Sequence, residues 1–198
     1  MTSITEKISA LPPLRQLIKQ NDFEARKSLG QNFIFDLNLT QKIAQVASPL
    51  TGTVFEIGPG PGGLTRALFL EGAEKVIAIE KDSRAIQFLE HIVTATDGHL
   101  TLLEKDAMKQ PIWKMGNAPR KIVANLPYNI ATALLLRWLA HANAFVSLTL
   151  MFQKEVAERL VAQPGDKAYG RLSILTQWLC KADLKFDVPP QAFIPCLL

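Results

Sequence analysis

Four polar side chains stand in or at the ends of short apolar runs. Glu56 lies inside the run over residues 53–57, directly ahead of Gly58-Pro59-Gly60-Pro61-Gly62-Gly63. Glu80 closes the run over 75–79, and Asp106 follows the run over 100–103. Asn125 ends the run over 121–124 and leads into Leu126-Pro127-Tyr128. Short apolar runs bounded by turn residues read as buried strands. In open α/β sheets, ligands bind outside the carboxyl ends of the strands. A carboxylate at the end of the second run can accept from ribose hydroxyls, and one at the end of the third from an adenine amino group. Asn125 offers a carbonyl oxygen and Tyr128 a flat face, which suits a planar base carrying an amino group. The plainer reading of that tetrapeptide is a strand end, a turn and a core tyrosine.

The glycine loop matches the G-x-G-x-x-G pattern, whose glycines let backbone approach a ligand closely. Together with Glu80 it fits both NAD and S-adenosylmethionine. Three details favour S-adenosylmethionine. Glu56 can organise the glycine loop or face an amino-acid moiety. Asp106 can take the donor's adenine. Asn125 with Tyr128 stands where a second base would sit. A dehydrogenase would need an acid/base group near its nicotinamide, and none of His91, His99 and His141 has a claim to that place.

The elements that must position these groups follow from the same runs. Strands are expected over 53–57, 75–79, 100–103, 121–124 and 145–151, with a weaker sixth over 184–188. Helices are expected after Pro13, after a cap at Asp36 or Asn38, and over 64–70. Others follow a cap at Asp82 or Ser83, and cover 131–140, 154–162 and 171–179. The last of these turns Leu172, Leu175 and Leu179 inward. Strands alternating with helices give an α/β fold with a doubly wound, mostly parallel sheet.

Of the 198 residues, 48% are hydrophobic and 20% charged, an ordinary balance for a globular chain. The net charge of +4 permits nucleic-acid binding without requiring it. Lys105, Lys109, Lys114, Arg120, Lys121 and Arg137 stand against Asp106 alone in 105–137, flanking the Asn125 stretch. The pair Arg26-Lys27 could touch phosphate or simply be solvated. Cys180 and Cys196 have no metal-ligand spacing and form no disulfide framework, so no metal and a cytoplasmic location are expected. No apolar run is long enough to span a bilayer, so no membrane partner is expected.

Taken together, the motifs resemble a family. They are Ser28-Leu29-Gly30-Gln31-Asn32-Phe33, Glu56-Ile57-Gly58-Pro59-Gly60, Ile79-Glu80-Lys81-Asp82, Asp106-Ala107, Asn125-Leu126-Pro127-Tyr128, the run 151–160, Tyr169-Gly170-Arg171 and Phe193-Ile194-Pro195. In that order they resemble the bacterial small-subunit ribosomal RNA adenine N6,N6-dimethyltransferases. The erythromycin-resistance methyltransferases share single motifs. The resemblance implies a Rossmann-like class I S-adenosylmethionine-dependent methyltransferase. It would dimethylate the N6 groups of two adjacent adenosines in the 3′-terminal hairpin loop of small-subunit RNA, in the course of ribosome assembly. The partner would be the 30S particle and the chain a monomer.

By position, the resemblance makes Asn32, Ile34, Glu56, Gly58, Gly60, Glu80, Asp106 and Asn125 donor-binding residues. Asn125, the Leu126 carbonyl, Tyr128 and Phe193 would serve the target base, with the two aromatics on opposite sides of it. Residues 1–35 would form an N-terminal extension and RNA/donor-binding loop, and 36–198 the catalytic domain. The family continues past Phe-x-Pro into a final strand and a small helical domain. The expectation is therefore of a C-terminal truncation, with the strand over 184–188 left without its neighbour. Two other functions fit the same motifs. One is a large-subunit RNA adenine methyltransferase of the macrolide-resistance type, and the other a non-catalytic small-subunit assembly factor.

Overall fold

The structure is a computed structural model that describes residues 2–20, 23–26 and 29–195. Five strands make the central sheet: β2 (Thr53–Ile57), β3 (Lys75–Glu80), β4 (Leu100–Glu104), β5 (Arg120–Asn125) and β6 (Ser147–Met151). Their order is β4-β3-β2-β5-β6, and every pairing among them is parallel. The chain order reverses between β2 and β5, so a crevice opens at the carboxyl ends of those two strands. Ligands bind at such a switch point.

Successive residues of each strand feed opposite faces, as strand geometry requires. On one face Val54, Val76, Ala78 and Val123 pack with Ile43 and Ala44 of α3 (Leu37–Val46). Ala67 and Leu68 of α4 (Gly63–Leu70), and Leu89 and Ile92 of α5 (Ser83–Ala95), complete that layer. On the other face Phe55, Ile57, Ile77, Ile79, Ile122 and Ala124 pack against Ala131, Leu134 and Trp138 of α6 (Tyr128–Leu139). Helices on both faces make the sheet doubly wound, as the alternation of runs predicts. Asp36 caps α3 and Asp82 caps α5, each carboxylate accepting from backbone N–H of the first turn.

The N-terminal stretch adds α1 (Ile4–Ser9) and α2 (Leu14–Gln20). The first of these has no counterpart in the elements expected from the sequence. Short strands β1 (Phe33–Ile34) and β7 (Phe193–Ile194) then pair antiparallel with each other. No helix among the described residues is long and apolar enough to cross a membrane.

Two expected elements differ. Residues 184–188 form no strand. Phe186 and Val188 instead pack onto the first core, with the Lys42 ammonium 4.3 Å from the centre of the Phe186 ring. Their alternation is thus satisfied by lying against α3 and not by a ladder. The second difference is the inward face of α8 (Arg171–Leu179). Leu175 and Leu179 are exposed, Leu172 is half-buried, and Ser173 and Thr176 face in. The reason is the surface that α8 meets, the carbonyl-rich end of α7 (Lys154–Val161). Ser173 donates to the Arg159 carbonyl, and Gln177 donates to the carbonyls of Leu160 and Ala162. Ser173 and Gln177 reach those acceptors and leucines cannot.

The basic surplus of 105–137 also divides. The Lys121 ammonium is buried and donates to the Ala47 carbonyl at 2.8 Å. Arg120 donates to the carbonyls of Met115 and Gly116, and Arg137 lies over the Trp113 ring. Lys105, Lys109 and Lys114 are the exposed members.

Candidate active site

A cavity of about 200 Å³ opens at the switch point. Its wall includes Glu56, Gly58, Glu80, Asp106, Asn125 and Leu126 from the strand ends, and Asn32 and Ile34 from the N-terminal loop. These residues are scattered over more than ninety positions of chain, and the sheet brings them to one place.

Glu56 is 1% exposed, and neither of its carboxylate oxygens has a hydrogen-bond partner. The Thr65 hydroxyl lies near enough to favour the charged form, yet makes no well-formed hydrogen bond. Burial dominates, with a smaller push from Glu80, and the carboxyl pKa rises to about 8. Glu80 is handled differently. Its Oε1 accepts from the backbone N–H of Lys81 at 2.7 Å and Asp82 at 2.8 Å. Its Oε2 accepts from the Gly60 N–H at 3.0 Å. Burial raises its pKa, and the three N–H groups partly offset that. Asp106 sits at the half-buried rim. Its pKa is lowered, chiefly by the Met108 N–H that it accepts at 2.9 Å and also by Lys81.

Asn125 is the junction. Its Nδ2 donates to the Asn32 carbonyl at 2.8 Å, which ties the N-terminal loop to the end of β5. That bond fixes the amide's orientation and leaves Oδ1 as the acceptor. Gln31 adds a second tie, donating to Asp82 Oδ2 at 2.8 Å. Gly58 has φ +68°, and a Cβ there would meet no atom closer than 3.6 Å. What this glycine keeps open is therefore cavity. At Gly60 (φ +53°) a Cβ would come within 2.6 Å of the Phe33 ring. Gly60→Ala should accordingly lose about 1–3 kcal/mol of stability through overpacking and strain. Denaturant unfolding checks this, and an unchanged midpoint would refute the close fit.

Not every residue read from the sequence reaches the cavity. Gly60 stands behind it, bound to Glu80. Tyr128 begins α6 half-buried, while Pro127, Asn129 and Ile130 around it supply wall. Phe193 is 4% exposed and packs in the first core. It pairs with Ile34 in the β1–β7 ladder, one strand behind the wall. Phe193 therefore lies in the core in this structure and is not among the residues of the cavity wall. Lys27, Ser28 and Cys196 lie outside the described residues. The sequence reading missed Gln31, Thr40, Leu64 and Met108 as wall or support. Gln31 carried a signal only as a polar residue within the loop 26–33, and the others read as ordinary helix or turn positions.

Residues 22–196 match the family model "Ribosomal RNA adenine dimethylase". The "Ribosomal RNA small subunit methyltransferase A" of Rhodospirillum rubrum is 56% identical over 186 residues, covering 93% of this chain and 65% of that protein. The protein of the same name from Paracoccus denitrificans is 56% identical over 192 residues, covering 95% and 68%. The chain therefore spans about two thirds of the length of these curated relatives. Among solved structures, a dimethyladenosine transferase from Plasmodium falciparum superposes with a TM-score of 0.73 at 33% identity, covering 83% of this chain and 59% of that one. The 23S rRNA methyltransferase ErmE superposes with a TM-score of 0.71 at 25% identity, covering 84% and 65%.

Proposed function

The chain belongs to the ribosomal RNA adenine dimethylase family, and from that premise we propose that its cavity binds S-adenosylmethionine and presents the donor's methyl group to adenine N6. The proposed product is N6,N6-dimethyladenosine at two adjacent adenosines in the 3′-terminal hairpin loop of small-subunit RNA. The observation that carries this reading is one cavity lined by Glu56, Gly58, Glu80, Asp106 and Asn125. The fit to the donor rests on chemistry visible in the site. A buried carboxylate without a partner suits an ammonium group. A glycine that leaves the cavity open suits close approach of the donor's amino-acid part. Two further acids, one buried and one at the rim, suit ribose hydroxyls and an adenine amino group.

When bound, the donor supplies an electrophilic methyl on a sulfonium, so no strong base is required. The chain's own contribution is alignment, which can supply much of a barrier reduction. Asn125 Oδ1 and the Leu126 carbonyl accept the two N6–H bonds and hold the amine with its lone pair toward the methyl. Tyr128 provides a stacking face for the base, worth about 1–3 kcal/mol for such contacts. Residues 1–35 are the part of the chain we assign to covering the donor and meeting RNA, and 36–198 the catalytic unit. The exposed Lys105, Lys109 and Lys114 suit phosphate contacts of a monomeric enzyme on the 30S particle.

The higher identity to small-subunit enzymes favours this substrate over large-subunit RNA. The test is methyl transfer from labelled S-adenosylmethionine to unmethylated 30S particles and to 23S RNA, with dimethyladenosine located by primer extension. Incorporation at the paired adenosines of the small subunit is expected. Incorporation only into 23S RNA would move the chain to the resistance type. Particle binding without any transfer would make it an assembly factor.

A further inference from the structure

From Ala107 to Lys154 the sequence holds no Asp or Glu. That acid-free stretch builds one side of the sheet. Its first part runs from Asp106, just past the carboxyl end of β4, to Arg120, where β5 begins. Ala107, Met108, Trp113 and Met115 pack in the same core as Ala131, Leu134 and Trp138, so this segment lies alongside α6. Both lead away from the cavity. α6 starts at Tyr128 beside the wall and reaches Arg137 about 14 Å further along its axis.

Three side chains meet at that far end. The rings of Trp113 and His141 stack with centroids 3.9 Å apart and planes inclined by 17°. The Arg137 guanidinium carbon lies 4.9 Å from the centre of the same indole. Arg137 is half-buried, and its Nε–H is buried without a hydrogen-bond partner. None of the ion pairs among the described residues uses it. Arg120 and Lys121, by contrast, are taken up by backbone carbonyls. Removing a cation from water without a counter-ion is costly, and one aromatic face offsets only part of that. What stands there is a guanidinium held in place with its capacity for an anion unused. His141 is exposed, so the ring face turned from Trp113 is open to a base. Lys114, next in the chain to Trp113, is exposed as well.

Given that the cavity methylates an RNA adenosine, we propose that Arg137, Trp113 and His141 form a second contact site for that RNA, a few nucleotides from the target. The guanidinium binds a phosphate, and the imidazole, backed by the indole, stacks on a base. A planar guanidinium matches phosphate through two parallel N–H bonds. Stacking accepts any base, because every base has a π-face. The site therefore adds grip and register, and leaves the choice of adenosine to the cavity. An acidic protein would satisfy Arg137 but leave the stacked rings without a role. The absence of acids along the whole route to the cavity favours a ligand charged at every unit of its backbone, which is nucleic acid.

The test is binding of the 3′-terminal hairpin RNA of the small subunit to the 198-residue chain across a series of salt concentrations. Unfolding midpoints and calorimetric donor binding serve as controls. Arg137→Gln is expected to flatten the slope of log affinity against log salt by about 0.7, the loss of one phosphate contact on a single strand. Arg137→Lys keeps the charge, so it should keep the slope and recover part of the affinity. His141→Ala alters an exposed ring, so folding is not at risk. It should weaken binding by roughly five- to a hundredfold with the slope unchanged. In all three, donor affinity should hold, and KM for the RNA should rise while kcat at saturating RNA stays the same. Unchanged RNA affinity and salt slope in folded Arg137→Gln and His141→Ala would overturn the proposal. So would a loss seen with 30S particles but not with the hairpin, because the occupant would then be a protein or a distant RNA. If the unaltered chain binds the hairpin but transfers no methyl group, the methylation reading falls, and the binding series still decides this site. If it binds no RNA, both fall.

Discussion

Asn125→Ala is expected to cut methyl transfer by about two to three orders of magnitude, the range seen when one preorganised polar contact to a reacting centre is removed. The side chain carries two separate tasks. Its Nδ2 spends itself on the Asn32 carbonyl at 2.8 Å, which leaves Oδ1 to orient the target amine. Alanine removes both. Donor affinity should change less, because Glu56, Glu80 and Asp106 are untouched and alanine opens the tie to Asn32 without setting a charge against its carbonyl. Asn125→Asp separates the tasks. It keeps an acceptor, but sets a carboxylate against the Asn32 carbonyl where an N–H had been. That variant should loosen the N-terminal loop and lose donor affinity as well as rate. Single-turnover transfer to 30S particles and calorimetric donor binding measure the two quantities. Dimethylation at the unaltered rate by Asn125→Ala would rule out the orienting role.

What the sequence made legible, and what it hid, divides by the range of the interaction. The strand ends were readable because each apolar run is short and stopped by a polar or glycine-containing turn. Glu80 and Asp106 needed only that rule to be placed. The cap before α5 was readable as Asp82 or Ser83, and proves to be Asp82, because capping is a contact between near neighbours. The pairing of β1 with β7 was not, since two strands of two residues, far apart in the chain, leave no periodic trace. The core position of Phe193 was hidden for the same reason: nothing local tells an aromatic beside a pocket from one behind it. The leucines of α8 misled because apolar spacing names a face only when the partner is apolar, and the partner here is a set of carbonyls. Lys121 shows the limit of counting charge. It belongs to a buried strand, and its ammonium closes a hydrogen bond to Ala47 within the protein.

Glu80→Ala should weaken donor binding by roughly ten- to a hundredfold, the equivalent of about 1.5–3 kcal/mol for hydrogen bonds to a charged group. It should also destabilise the protein. Three backbone N–H groups, from Gly60, Lys81 and Asp82, now end on this carboxylate. Alanine leaves them without their acceptor in a site where Glu80 itself is 6% exposed, a loss of about 1–3 kcal/mol. A carboxylate offers about four lone-pair positions, so three backbone donors leave one for a ribose hydroxyl. The same side chain thus shapes the glycine loop and faces the ligand, and the two effects must be separated. Glu80→Gln helps, since it preserves length and one acceptor oxygen while placing an NH2 group opposite backbone N–H. If loop shaping alone mattered, both variants would be less stable but would bind the donor with unchanged affinity once folded, and saturating donor would raise their stability by the same increment as that of the unaltered chain. If Glu80 also holds the ribose, adenosine itself should lose affinity in the folded variants, though it has no amino-acid part to reach Glu56. Calorimetry with adenosine and with the full donor, on protein shown to be folded by its unfolding transition, reads the difference. Unchanged affinity for both ligands in folded Glu80→Ala would sink the ribose assignment.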